Sequence, residues 1–140
     1  MVAVDAQPEA IERLRAHPDA RSRSEALETV LARFEDARWP FADLVNSSFS
    51  LPFCPPSAFE ATWERILQSL RPGGRFCGQF FGVNDEWAPA EDMTFLSRPE
   101  VDGLLDSLEV ERLVEVEEDG RTAVGTPKHW HLFHVVARRP

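Results

Sequence analysis

Residues 57–81 read Ser-Ala-Phe-Glu-Ala-Thr-Trp-Glu-Arg-Ile-Leu-Gln-Ser-Leu-Arg-Pro-Gly-Gly-Arg-Phe-Cys-Gly-Gln-Phe-Phe. Phe59, Trp63, Ile66, Leu67 and Leu70 recur at the three-and-four spacing of one helix face. Ser57 and Glu60 stand at the spacing of a capping box, where each side chain closes an orphan amide at the helix start. Arg71-Pro-Gly-Gly74 ends the helix, because proline and paired glycines do not continue it. Arg75–Phe81 is dense in aromatic residues and reads as the strand that follows.

The same strand–helix alternation extends outward from this stretch. Upstream, Met1–Asp5 is a short apolar run ending in an acid and reads as a buried strand. Pro8 suits a first helical turn, Ile11 and Leu14 give helical spacing, and His17-Pro18 stops it. Residues 25–36 are ambiguous: Leu27, Val30, Leu31 and Phe34 fit a helix, and Val30, Ala32 and Phe34 alternate as in a strand. Ala42–Ser50 reads as a strand that turns polar at its C-terminal end, where Pro52, Pro55 and Pro56 break it. Downstream, residues 82–96 read as a loop, and Ser97-Arg-Pro-Glu100 as a second capping box. Val101, Leu104, Leu105 and Leu108 form the inner face of the helix that follows. Glu109–Glu118, an Asp119-Gly120 turn and Trp130–Ala137 give a closing antiparallel pair joined by a mobile loop. Strand–helix repeats with crossovers of this length predict a doubly wound, mainly parallel α/β sheet with an antiparallel pair at its C-terminal end.

Residues 1–140 are one domain's worth of chain, too short for a TIM barrel of roughly 250 residues. Fifteen basic residues against 24 acidic ones give a net charge of −9. That balance speaks against nucleic acid as a partner, since such binding is driven by phosphate neutralisation. It also speaks against docking on anionic membrane surfaces. Cys54 and Cys77 make no disulfide scaffold, and no secretory leader or membrane-spanning run is read, so a cytoplasmic, reduced setting is expected.

In this order and spacing, four segments and the closing one resemble the class I S-adenosylmethionine-dependent methyltransferases. Val2-Ala-Val-Asp5 with Pro8-Glu-Ala-Ile11 resembles the family's second strand and the helix after it. Phe34-Glu-Asp-Ala37 resembles the end of the third strand, which places strand over 30–36. Ala42–Ser50 resembles the fourth strand. Leu70-Arg-Pro-Gly-Gly-Arg-Phe76 resembles the helix end that leads into the fifth strand and is the most specific piece. Lys128–Arg139 resembles the last antiparallel strand. The helix end at Pro72-Gly73-Gly74 and the antiparallel close favour this family over other nucleotide-binding α/β enzymes. The family's first strand and its glycine-rich loop have no counterpart in these residues. That strand is central in the family's sheet, so the resemblance implies a truncated chain, or one whose sheet is completed in a homo-oligomer or by a partner chain.

The resemblance implies S-adenosylmethionine as cofactor and methyl transfer to a small-molecule acceptor. The alternative is a non-catalytic binding or scaffold module, which the absent glycine loop favours. By the same resemblance, Asp5, beside Ala6, would hold the ribose hydroxyls, and Glu35, Asp36 and Ala37 would face adenine. Asn46, Ser47 and Phe49 would lie along the donor's methionine end or the acceptor. Trp87 in the loop after the fifth strand, with His129 and His131 on the last strand, are candidates for the acceptor pocket. Asp5 could instead cap the helix at Pro8, and Trp87 could simply pack over the sheet end. His129 and His131 share a strand face while His134 points the other way, so no metal site is expected. Transfer from a sulfonium needs chiefly proximity and alignment, so no base–nucleophile pair is demanded, and no catalytic residue is assigned.

Overall fold

The computed structural model describes all of residues 1–140, which fold as two compact units, Met1–Pro40 and Phe41–Pro140. In the first unit, β1 (Val2–Asp5) leads into α1 (Pro8–Ala16), the short α2 (Pro18–Arg21) and β2 (Glu28–Leu31). β1 and β2 pair in parallel, Val2 opposite Glu28 and Asp5 opposite Leu31. Proline opens both helices in the first turn, where a missing N–H leaves nothing unsatisfied. β1 is half-exposed rather than buried, because a two-stranded sheet has a partner on one edge only. β2 is also shorter and earlier than the expected strand over 30–36. Its partner turns away after Asp5, whose carbonyl accepts the last bond from the Ala32 amide. Residues 34–37 therefore form a turn, closed by the Ala37 amide on the Arg33 carbonyl at 2.8 Å.

The second unit carries a five-stranded sheet in which β3 (Ala42–Ser47), β4 (Leu70–Gly82), β7 (Pro127–Arg138) and β6 (Glu109–Arg121) are adjacent in that order. β3 is parallel to β4, and β7 is antiparallel to both β4 and β6. A two-residue strand, β5 (Phe95–Leu96), pairs with the C-terminal end of β4 inside the segment expected to be loop. α3 (Pro56–Ser69) presents Phe59, Trp63 and Ile66 to one face of the sheet. There the Trp63 ring meets Phe76 edge-on at 4.9 Å and Phe80 at 5.6 Å. α4 (Arg98–Leu105) joins this layer through a bond from the Trp63 indole to the Leu104 carbonyl, with Val101 and Leu105 buried. Strand alternation sends Phe76 and Phe80 to the α3 side and Phe81 to the opposite face.

Of the two expected capping boxes, the one at Ser97–Glu100 forms, with both reciprocal bonds present. The one at Ser57–Glu60 does not: α3 begins two residues earlier than that box requires, at Pro56 with Pro55 as its cap, so Ser57 lies inside the first turn. The chain leaves α3 at Leu70, already extended, ahead of the expected stop at Arg71–Gly74, and Gly73 lies in the first part of β4 with a φ of +79° that suits glycine. The Asp119-Gly120 turn is not a turn either. Both residues remain in the β6 ladder, paired with His129 and Lys128, and the reversal falls at Thr122–Thr126, closed by the Thr122 amide on the Thr126 carbonyl. No helix is long and apolar enough to cross a membrane.

Candidate functional site

In open α/β sheets, ligands bind outside the carboxyl ends of the parallel strands, and each unit has such an end. In the first unit it carries Asp5 and Ala6, both exposed. The Asp5 side chain does not cap α1. Its Oδ1 accepts from the Gln7 amide at 2.8 Å, an Asx turn that fixes the carboxylate at the strand end. Glu35 and Asp36 are exposed in the turn after β2, and Ala37 is buried, its carbonyl accepting from the Arg38 guanidinium at 2.8 Å.

In the second unit the chain leaves β3 through Asn46, exposed, and Ser47, buried. Ser47 turns the chain: its Oγ lies 2.8 Å from the Ser50 hydroxyl and accepts from the Leu51 amide at 3.1 Å. Phe49 between them sits at φ +50°, the one non-glycine residue in the left-handed region. For a bulky residue that conformation costs roughly 1–3 kcal/mol and persists only where its surroundings impose it. The Phe49 ring meets Phe81 at 6.4 Å and Trp130 at 6.1 Å.

Around Phe81 the structure assembles an aromatic cluster: Phe49, Phe53, Trp87, Phe95 and Trp130 all lie within 6.4 Å of it, centroid to centroid. Phe49 and Phe53 are 42% and 49% exposed, so the cluster opens to solvent on their side. Trp87 thus packs over the sheet end and also forms part of this wall. Inside it lies Lys128, buried, with its ammonium 3.7 Å from the Trp130 ring centroid, 4.4 Å from Trp87 and 5.2 Å from Phe81. Its charge is met by Asp85, equally buried. Asp85 also accepts the Trp87 amide at 3.0 Å and the His131 amide at 3.2 Å. One buried carboxylate therefore pins the loop after β4 to the start of β7.

The histidines belong to this clamp and to the hairpin. His131 is buried. Its Nδ1 accepts the Asn84 amide at 3.1 Å, so the proton on Nε2 faces Glu115 at 3.1 Å. A Cβ on Gly82 would fall 2.1 Å from the His131 ring, so the ring occupies the space a side chain would take. His129 is partly exposed, with Nδ1 2.7 Å from Asp119 and Nε2 3.4 Å from Glu117. Those bonds, to Asp119 first and Glu117 next, hold its pKa above the ordinary histidine value. His129 and His131 both face the acidic edge of β6, while His134 meets Gln79 of β4 instead.

The Asp85–Lys128 pair and its aromatic surround escape a reading by sequence motif, since neither residue stands in a recognisable spacing with the other. The one available signal was the density of Trp and Phe flanking both: Phe80-Phe81 and Trp87 on one side, Trp130 on the other.

The comparisons fit this architecture. No protein-family model matches the chain. It is 36% identical over 74 residues to carboxy-S-adenosyl-L-methionine synthase of Salmonella paratyphi C, covering 53% of this chain and 30% of that one. The same enzyme from Escherichia coli K12 is 34% identical over an equal span. The chain thus spans under a third of the length of the curated relatives it matches. Among solved structures, TehB from Haemophilus influenzae superposes with a TM-score of 0.82 at 12% identity, over 99% of this chain and 49% of its own. The N-methyltransferase NodS of Bradyrhizobium japonicum, in complex with S-adenosyl-L-homocysteine, gives 0.68 at 15% identity over 99% and 66%. The 1,6-didemethyltoxoflavin-N1-methyltransferase of Burkholderia thailandensis gives 0.67 at 22% over 99% and 60%. The chain has the Rossmann-like fold of the class I S-adenosylmethionine-dependent methyltransferases. Over about half its length it is also related in sequence to an S-adenosylmethionine-linked enzyme.

Proposed function

We propose that residues 1–140 act as one methyltransferase-like domain in S-adenosylmethionine-dependent methyl transfer to a small-molecule acceptor in a cytosolic setting. The observation that carries this is the fold match along 99% of the chain to methyltransferases, two of them solved with S-adenosylhomocysteine. Each unit, taken by itself, carries residue types that suit a part of that ligand. Asp5 commits one carboxylate oxygen to Gln7 and has a second with which to accept from a ribose hydroxyl. Glu35 and Asp36 offer acceptors for an adenine amino group. Asn46 stands exposed where β3 ends, and Phe49 gives an aromatic face beside it. S-adenosylmethionine supplies a methyl group already activated on a sulfonium. The chain's contribution is then to bind, align and exclude water. The aromatic wall of Phe53, Trp87 and Trp130 suits an acceptor with an apolar body, while His129 and His131 act in holding that wall to the hairpin.

A second reading has its own support. The strands lie in two separate hydrogen-bonded sheets, and β3 has a neighbour on one side only, which fits a non-catalytic binding module. Calorimetric titration with S-adenosylhomocysteine separates the two. Micromolar binding supports the methyltransferase, and a folded protein that does not bind supports the module or a chain that needs a further strand. Asp5→Asn keeps the acceptor for Gln7 and removes the charge. If Asp5 holds ribose, this variant weakens binding by about 1.5–3 kcal/mol, the range of hydrogen bonds to charged groups. Unchanged affinity would leave Asp5 with its turn alone.

A further inference from the structure

We infer that Gln79 is a positioning residue that fixes the ring of Phe49 for the adenosyl ligand, an inference that rests on the methyltransferase reading. Phe49 holds φ +50° although a bulky side chain disfavours that region. The turn bonds of Ser47 reach Ser50 and Leu51 but not the Phe49 amide. That amide donates instead to Oε1 of Gln79, across on β4, at 2.9 Å. A backbone N–H can only donate, so the Gln79 atom facing it is the carbonyl oxygen, and the other atom is the amino group. The amino group lies 3.4 Å from Nδ1 of His134, directly opposite on β7. Nδ1 must therefore accept, and the His134 proton sits on Nε2. The relay His134–Gln79–Phe49 has one consistent set of donors. It crosses from β7 through β4 to the loop after β3 and ties the strained residue to the rigid sheet.

With that bond, the Phe49 ring is held edge-on to Phe81 and Trp130 while 42% of the residue stays open to solvent. Without it, relaxation of φ to negative values swings the ring off the cluster. The sequence offers no sign of this pairing, since Gln79 lies in an apolar strand and thirty positions away from Phe49.

The test measures S-adenosylhomocysteine affinity and, separately, hydrogen exchange at the Phe49 amide in the ligand-free protein. Gln79→Met keeps length and removes the acceptor, while Gln79→Glu keeps an acceptor oxygen. The expected result is a five- to tenfold loss of affinity in Gln79→Met, about one hydrogen bond's worth. Phe49 amide protection should be lost in the same variant, and Gln79→Glu should come within about twofold of wild type. Phe49→Gly, which tolerates the positive φ but has no ring, should lose affinity and keep its thermal stability. Wild-type binding with equal affinity in Gln79→Met or Phe49→Gly overturns the inference and leaves the methyltransferase reading standing. Absence of binding by the wild type overturns the reading itself, and the positioning role with it.

Discussion

Asp85 ties the loop after β4, the start of β7 and a buried lysine to one carboxylate. Its carboxylate neutralises Lys128 and accepts two backbone amides, from Trp87 and His131, all out of water. A buried pair of this kind adds little net stability over an apolar pair, but breaking it leaves an uncompensated charge, at about 3–5 kcal/mol. The two halves are not equivalent. Asp85→Ala strands the Lys128 ammonium and two amide donors together. Lys128→Met leaves a carboxylate still solvated by those amides, and its methyl group fills space among Phe81, Trp87 and Trp130. Urea denaturation should therefore show Asp85→Ala losing about 3–5 kcal/mol and Lys128→Met clearly less. The reverse order would mean that the lysine, through its aromatic contacts, is what holds the loop. At this scale the sequence was legible where a residue's role is local. Asp5 ends its strand, Ser47 ends another, and Trp87 packs over the sheet end. It was not legible where the role is a tertiary pairing. The partners of Asp85, His131 and Gln79 are set by strand register, which no spacing along the chain encodes.

Elements were readable when their signals were redundant. α3 has five apolar positions on one face and a proline–glycine stop, and the β6–β7 pair has long alternating runs. The errors fall where two signals competed. At α3, Pro56 presets the first-turn geometry and overrides the Ser57 box. At Asp119-Gly120 the turn dipeptide stays in the ladder because Gly120 pairs with Lys128. β5 could not be read, since two residues acquire strand geometry only from the neighbour they pair with. The β6–β7 hairpin also carries a pH response. His129 is held above its ordinary pKa of 6.5 by Asp119 and Glu117. Its contribution is fully present below 6.5, where both folded and unfolded forms are protonated, and it is lost as pH rises through the higher folded value. On the acid side, Arg75 holds Glu111 below its ordinary 4.5, so that contribution is present above 4.5 and lost as pH falls through the folded value. Thermal melts should thus decline from pH 6.5 upward, and His129→Gln should flatten that limb while leaving the acid limb intact. A wild-type melt with no slope above pH 6.5 would assign His129 to the surface alone.

The whole molecule poses a problem that its parts do not. β3 pairs only with β4, and β1 and β2 pair only with each other. A two-stranded sheet is marginal in water, and a strand with one neighbour presents a row of unpaired amides and carbonyls as a template for another chain. The apolar residues on and beside β3 make that edge sticky as well: Phe41 is 67% exposed and Leu44 57%. Native edge strands are usually blunted by lysine, proline or a bulge. β3 has a register shift between Ala42 and Leu44 but no lysine, and its one acid, Asp43, is occupied by Arg71. The net charge of −9 opposes association at long range, but salt screens it beyond about 8–10 Å. Short-range strand pairing then wins. We therefore expect this chain to self-associate, or to take up a strand from another polypeptide, through the β3 edge. Light scattering across a concentration series should show a mass above that of one chain, rising with salt as the repulsion is screened. Leu44→Lys, which places a gatekeeper charge on that edge without touching the buried core, should shift the mass toward the monomer. A wild-type protein that stays monomeric at high concentration and high salt would show that the edge is protected within the single chain.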